Sequence, residues 1–201
     1  FFDFETFQEA IPRFDGQRPY MQMPFQYSLH IFPEVGQMVH KEFLGDEHTD
    51  PREELIQQVL KDITPTGSLV AFNMSFEKRM ISEMAQSFPQ YADELLALND
   101  RFVDLIAPFR KLGYYHPDFN GSFSIKSVLP AMFPKDDELN YKNLEIQDGG
   151  MAMDTFANLH LLKDEHERNH IRNALLAYCR LDTLAMVKIL SMLKEYKVER
   201  T

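Results

Sequence analysis

The chain opens by alternating aromatic and polar positions, Phe1-Phe2-Asp3-Phe4-Glu5-Thr6-Phe7. A period of two predicts a strand, with Phe2 and Phe4 on one face and Asp3 and Glu5 on the other. Further strands are expected over 25–32 and 38–44, with turns at Gly16 and at Glu34-Val35-Gly36. Pro51 opens a helix at its first turn. Glu53 and Glu54 sit near the positive end of its dipole, and Leu55, Ile56, Val59, Leu60 and Ile63 form its apolar face. Residues 69–72 read as a short apolar strand, and 73–75 lead into a helix carrying Phe76, Met80, Ile81 and Met84. A helix is expected near 91–98, and the segment 103–109 fits either strand or helix. Residues 113–124 form a loop, 125–133 a short helix ended by Pro134, and 134–150 a polar connection. Two closing helices are expected over 151–162 and 168–196. Three strands, a helix, a strand and then mostly helix describe an α/β domain in which helices cover a sheet.

Composition narrows the function classes. The 201 residues include 31 acidic and 21 basic ones, for a net charge of −10, and one cysteine, Cys179. So acidic a chain does not coat nucleic acid through a general basic surface, although one local site can still meet it. A lone cysteine forms no internal disulfide, which fits a cytoplasmic protein. No apolar run reaches the length of a membrane span, so no membrane partner is expected. A start inside a strand, with neither initiator Met nor basic leader, reads as one domain, 1–201, cut from a longer chain. The other domains of that chain are expected partners.

Three polar signals interrupt this apolar frame. Asp3 and Glu5 share one face of the first strand, where two like charges need a cation or a proton to be buried. Glu77 stands at a helix start just after an apolar strand, where sites in α/β sheets collect. Tyr178 and Asp182, at i and i+4, share a face of a helix rich in leucine, where an unpaired Asp is costly. Singly, each has a plain reading: a solvated edge strand, a helix-dipole Glu, an Asp bonded to its neighbouring Tyr. Together, Asp3, Glu5, Glu77 and Asp182 could converge on one point from two strand ends and a distant helix. Such a set suits Mg²⁺ or Mn²⁺, and a pair of these ions supports phosphoryl displacement.

In order and spacing these motifs resemble those of the DnaQ-like (DEDD) 3′–5′ exonuclease superfamily. Asp3-Phe4-Glu5-Thr6 resembles its first motif, Asn73-Met74-Ser75-Phe76-Glu77 its second, and Tyr178-x-x-x-Asp182 its third in the Tyr variant. Runs such as Pro12-Arg13, Pro19-Tyr20, Pro24-Phe25-Gln26 and Ile146-Gln147-Asp148-Gly149 resemble an uncharacterised bacterial family within it. The second motif ends in Glu77 where that superfamily usually has Asp, which carries the carboxylate one methylene further. The resemblance implies an RNase H-like fold with a mixed five-stranded sheet flanked by helices and the second strand antiparallel. It implies two bound ions, Mg²⁺ or Mn²⁺, held by Asp3, Glu5, Glu77 and Asp182. Tyr178 would orient the attacking water, and Thr6, Phe7, Asn73 and Lys126 would bind substrate. The partner would be a single-stranded or frayed nucleic acid 3′ end. A catalytically weak module that binds nucleic acid or protein is the alternative.

Other residues offer competing chemistry. His166-Glu167-x-x-His170 matches the zinc-peptidase pattern H-E-x-x-H, although its surroundings are polar on nearly every side. Tyr114, Tyr115, His116 and Phe119, beside Arg110, Lys111 and Lys126, could stack bases and pair phosphates, or tuck onto the core. Arg13 and Arg18 are candidates for backbone phosphates. Asp104 reads as a helix-surface acid, with a supporting place beside the site as the alternative, and Cys179 as a small packed hydrophobe.

Overall fold

A computed structural model describes residues 1–33 and 36–196. The expected turn at 34–36 therefore lies, at residues 34 and 35, outside the described residues. Strands β1 (Phe2–Phe7), β2 (Met23–Ile31) and β3 (Val39–Leu44) form an antiparallel sheet in that order. Helix α1 (Arg52–Asp62), strand β4 (Leu69–Ala71), helices α2 (Ser75–Ser87) and α3 (Ala92–Asn99), and strand β5 (Phe102–Asp104) follow. The rest is helical: α4 (Ala107–Arg110), α5 (Ile125–Met132), α6 (Gly149–Leu159) and α7 (Glu165–Glu195), with short 3₁₀ turns between them. The segment left open between strand and helix is both, β5 and then α4. The five strands do not form one ladder: β4 pairs with β5 in a separate parallel sheet, and lies against β1. Among the described residues, no helix is long and apolar enough to cross a membrane.

Alternation in β1 divides the interior in two. Phe2 and Phe4, with Tyr27 and Leu29 of β2, pack against Leu55, Ile56 and Val59 of α1 and Met80, Ile81 and Met84 of α2. The other core holds Phe7 and Phe25 with Phe156 of α6 and Leu175, Ala185 and Ile189 of α7. Regular alternation would put Phe25 beside Tyr27. The register shift between Glu5 and Thr6, a β-bulge, instead turns it to the opposite face, where its ring stacks on Phe156 at 3.9 Å. Gly45 is required by close packing: its N–H donates to Phe25 O at 2.8 Å, and a Cβ would fall 2.3 Å from Pro51 Cβ.

The sheet face that carries Asp3 and Glu5 meets α7 through polar groups. Gln26 Nε2 donates to Leu175 O at 2.9 Å, and Thr183 Oγ1 lies 2.6 Å from Ser28 Oγ and 2.8 Å from His30 Nδ1. The N-terminal half of α7 is tied down by buried Glu47, which holds Arg168 at 3.2 Å and Arg172 at 2.6 Å. Buried polar groups tolerate few alternative pairings, so this ladder fixes both the rotation and the height of α7. Thr183→Val keeps the shape but takes the partner of His30 Nδ1 and one of the two partners of Ser28 Oγ, which keeps His40 Nε2 at 2.9 Å. Its expected cost is about 1–3 kcal/mol of unfolding free energy, measured by urea denaturation.

Candidate metal centre

Each acidic side chain is delivered by a different local cause. Asp3 and Glu5 come from the α7 face of β1. Glu77 comes from the first turn of α2, which starts after Asn73 in the left-handed conformation, φ 75°. Asn is among the few residues that tolerate this conformation. Asp104 Oδ1 accepts from Asn73 N at 2.9 Å and from Ile106 N at 3.3 Å, tying the end of β5 to this turn. The helix-surface role expected for Asp104 is thereby corrected: it ends a strand and sets the start of α2. Tyr178, Asp182 and Met186 follow one another at helical spacing along the inner face of α7.

These side chains converge. Asp3, Glu5, Glu77 and Asp182 line one cavity of about 440 Å³, together with Thr6, Gln22, Asn73, Lys126 and Tyr178. Phe72, Phe76, Ile125, Met153 and Met186 give it apolar walls. Asp3, Glu5 and Cys179 each bring one ligand atom within 4.8 Å of the others. Glu77 is 2% exposed, and its Oε2 has no hydrogen-bond partner among the described residues. Asp182 is buried and accepts from Tyr141 Oη at 2.5 Å. Hard oxygen donors with one orphaned carboxylate oxygen fit Mg²⁺ or Mn²⁺.

The electrostatics reflect the same crowding. Burial, then the charges of Asp182, Glu5 and Glu77, hold the Asp3 carboxyl well above the usual range. Burial and Asp182 do the same for Glu5, opposed by Lys126. Burial raises Glu77 to about 7. It raises Asp182 to about 6, against the opposing pull of the Tyr141 hydrogen bond and Lys126. Tyr178 is raised by burial and by the neighbouring carboxylates, so it remains a neutral phenol. Lys126 Nζ donates to its hydroxyl at 3.0 Å and lies over the rings of Tyr178 and Tyr141, at 5.0 and 5.4 Å.

Not every expected site residue reaches the cavity. Phe7 is fully buried among Phe14, Phe25 and Phe156, so the substrate contact expected of it is corrected to core packing. Thr6 hydrogen-bonds Gln22 at the cavity wall. Asn73 Oδ1 accepts from Arg110 Nη1 at 3.4 Å, which brings a basic group to the rim. Arg13 is committed elsewhere: its Nε binds Glu9 at 2.7 Å, its Nη1 lies 2.6 Å from His160 Nδ1, and its guanidinium covers Phe7 and Phe14. Arg18 is exposed. Tyr114, Tyr115 and His116 pack their rings around buried Phe119. His166 and His170 stand on the exposed first turns of α7, where His170 Nε2 lies 2.7 Å from Glu145. Among the described residues, no third ligand joins them. Tyr141 escaped sequence reasoning because it sits in a 3₁₀ turn of an irregular connection. Cys179 escaped because its partner, Asp3, is 176 residues away.

A carboxyl group whose pKa is higher in the fold than in the unfolded chain stabilises the fold in its protonated form. That contribution is complete below about pH 4 and is lost as the pH rises through the folded values of Asp182 and Glu77. His30 and His40, lowered to about 4 by burial, act with the opposite sign up to about pH 6.5. The gain in melting temperature on adding an ion separates the carboxylates from these histidines. Mn²⁺ should raise the melting temperature more near pH 8 than near pH 5, by about 2–4 °C for each kcal/mol gained. In Glu77→Gln the difference between the two pH values should shrink.

The chain is 27% identical to the uncharacterized protein MG366 of Mycoplasma genitalium, over 97% of this chain and 32% of that protein. It is also 27% identical to the MG366 homolog of Mycoplasma pneumoniae, over 98% of this chain and 32% of that one. It thus spans about a third of the length of the curated relatives it matches. No solved structure matches it significantly. The model of the family described as "Domain of unknown function (DUF2779)" matches residues 1–124, more than half of the chain, and the chain belongs to that family.

Proposed function

We propose that this domain is a metal-dependent 3′–5′ exonuclease acting on single-stranded or frayed nucleic acid ends. The observation that carries the reading is the convergence of Asp3, Glu5, Glu77 and Asp182 on one cavity, with Glu77 Oε2 buried and unpartnered among the described residues. The position of β4 against β1 supports an RNase H-like arrangement, in which β4 and β5 extend the antiparallel sheet beyond β1.

Asp3, Glu5, Glu77 and Asp182 would hold Mg²⁺ or Mn²⁺. Such ions supply the positive charge that stabilises the attacking and leaving oxygens of an in-line phosphoryl displacement. The chain's own residues do the positioning. Tyr178 keeps its proton, so it orients a water molecule by hydrogen bonding rather than deprotonating it. Lys126, the cation at the cavity wall, donates to the Tyr178 hydroxyl and would pair with a phosphate oxygen of the substrate. Tyr141 holds Asp182 in one rotamer. Phe72, Phe76 and Met153 offer apolar surface to a base and sugar, and a cavity of about 440 Å³ admits a terminal nucleotide but no duplex. With a net charge of −10, binding at a distance is weak, and the ions and this local patch supply the attraction.

The test uses single-stranded DNA and RNA labelled at the 5′ end, in Mn²⁺. The chain should produce a ladder that shortens from the 3′ end. Asp3→Asn should lower the rate by at least about a thousandfold, as expected when an essential charge-stabilising group is lost. Intact polymer with the wild-type chain in Mn²⁺ would contradict the reading and leave a binding module in its place.

A further inference from the structure

Directly behind the carboxylates lies a group that phosphoryl transfer does not require. Cys179 is fully buried on the sheet side of α7, and its Sγ lies 3.9 Å from Asp3 Oδ2 and 4.0 Å from Asp3 O. Burial and the charges of Asp3, Glu5 and Asp182 keep it a neutral thiol. A thiol that only fills space would be expected among apolar side chains, but this one is pressed against an acid.

We propose that Asp3, Glu5 and Cys179 form a mixed oxygen–sulfur seat for a thiophilic divalent cation of the Zn²⁺ type. One ligand atom from each already lies within 4.8 Å of the others. Zinc bonds sulfur at about 2.3 Å and carboxylate oxygen at about 2.0–2.2 Å, so closing on the ion takes only small side-chain adjustments. A second, independent feature points to the same place. Glu77 is 2% exposed, carries an unpartnered Oε2 and lines one cavity with Asp3 and Glu5, although it stands outside the close group of Asp3, Glu5 and Cys179. The cation takes the place of the thiol hydrogen, which leaves as a proton to water, and nothing is oxidised. Mg²⁺ gains little from sulfur, whereas Zn²⁺ and its spectroscopic substitutes Co²⁺ and Cd²⁺ bind it well. The inference rests on the reading of Asp3 and Glu5 as ion ligands, and adds regulation to it. Because both carboxylates serve either kind of ion, a thiophilic cation seated on Cys179 excludes Mg²⁺ or Mn²⁺ and holds the nuclease off.

The chain has a single cysteine, so any thiolate-to-metal charge-transfer band reports Cys179 and no other residue. Adding Co²⁺ to the wild-type chain should produce that band stoichiometrically, and Zn²⁺ should then abolish it. The band should also be lost in Asp3→Asn. Cys179→Ser, checked for folding by thermal unfolding, should lack the band, and its preference for Zn²⁺ over Mn²⁺ should fall by about 10–100-fold. A wild-type Co²⁺ complex without the band overturns the proposal, and needs no variant to fold. Degradation of nucleic acid in Mn²⁺ without a Co²⁺ band removes the sulfur seat and leaves the exonuclease standing. A band without any degradation does the reverse.

Discussion

Four like-charged carboxyl groups packed against one strand are the constraint around which this domain is arranged. Burial raises each of them, and for Asp3 and Glu5 the neighbouring acids add to it, so the ion-free site favours protons over charge. A core built only for stability would replace such a cluster with apolar side chains. Such a cluster is stable in the fold only with protons on its carboxyl groups or with a compensating positive charge beside them. Within the described residues the cavity supplies only part of it, through Lys126, whose Nζ is turned to the Tyr178 hydroxyl. A divalent cation supplies the rest in our account.

The surrounding fold can be understood as support for that cluster. β1 carries two acids inward on one face only because Phe2 and Phe4 anchor the other. The bulge beside Thr6 moves Phe25 across the sheet, so that α6 packs firmly at one end of the cavity. α7 reaches the sheet through Gln26, Ser28, His30 and Thr183 rather than through apolar contacts. Such groups specify a unique docking, and Asp182 and Tyr178 inherit their positions from it. Asp104 plays the same part for Glu77 by holding Asn73 in its turn.

Much of this was legible in the amino-acid order where local periodicity carried the information. The alternation of β1, the start of α2 after Asn73 and the spacing of Tyr178 and Asp182 all describe short-range geometry. The cost of burying Asp3, Glu5 and Asp182 alone pointed to a shared partner, and Glu77 joined them through its place at a helix start after an apolar strand. Long-range pairing was harder to see. Nothing near Tyr141 announces that it donates to Asp182, and nothing near Cys179 announces Asp3. Arg13 looks free in sequence but is taken up by Glu9 and His160, and Phe7 looks like a substrate contact but fills the core. The division of the strands into sheets of three and two also escaped, because short β4 and β5 pair with each other and no ladder joins β4 to β1.

In our proposal, Asp3, Glu5, Glu77 and Asp182 together hold divalent cations. Crystals grown with Mn²⁺, measured at a wavelength where manganese scatters anomalously, test it most directly. Anomalous density should appear in contact with Asp3 and with at least one of Glu5, Glu77 and Asp182. Ordered side chains at all four positions with no manganese between them, at a concentration that saturates an ordinary carboxylate site, would contradict it.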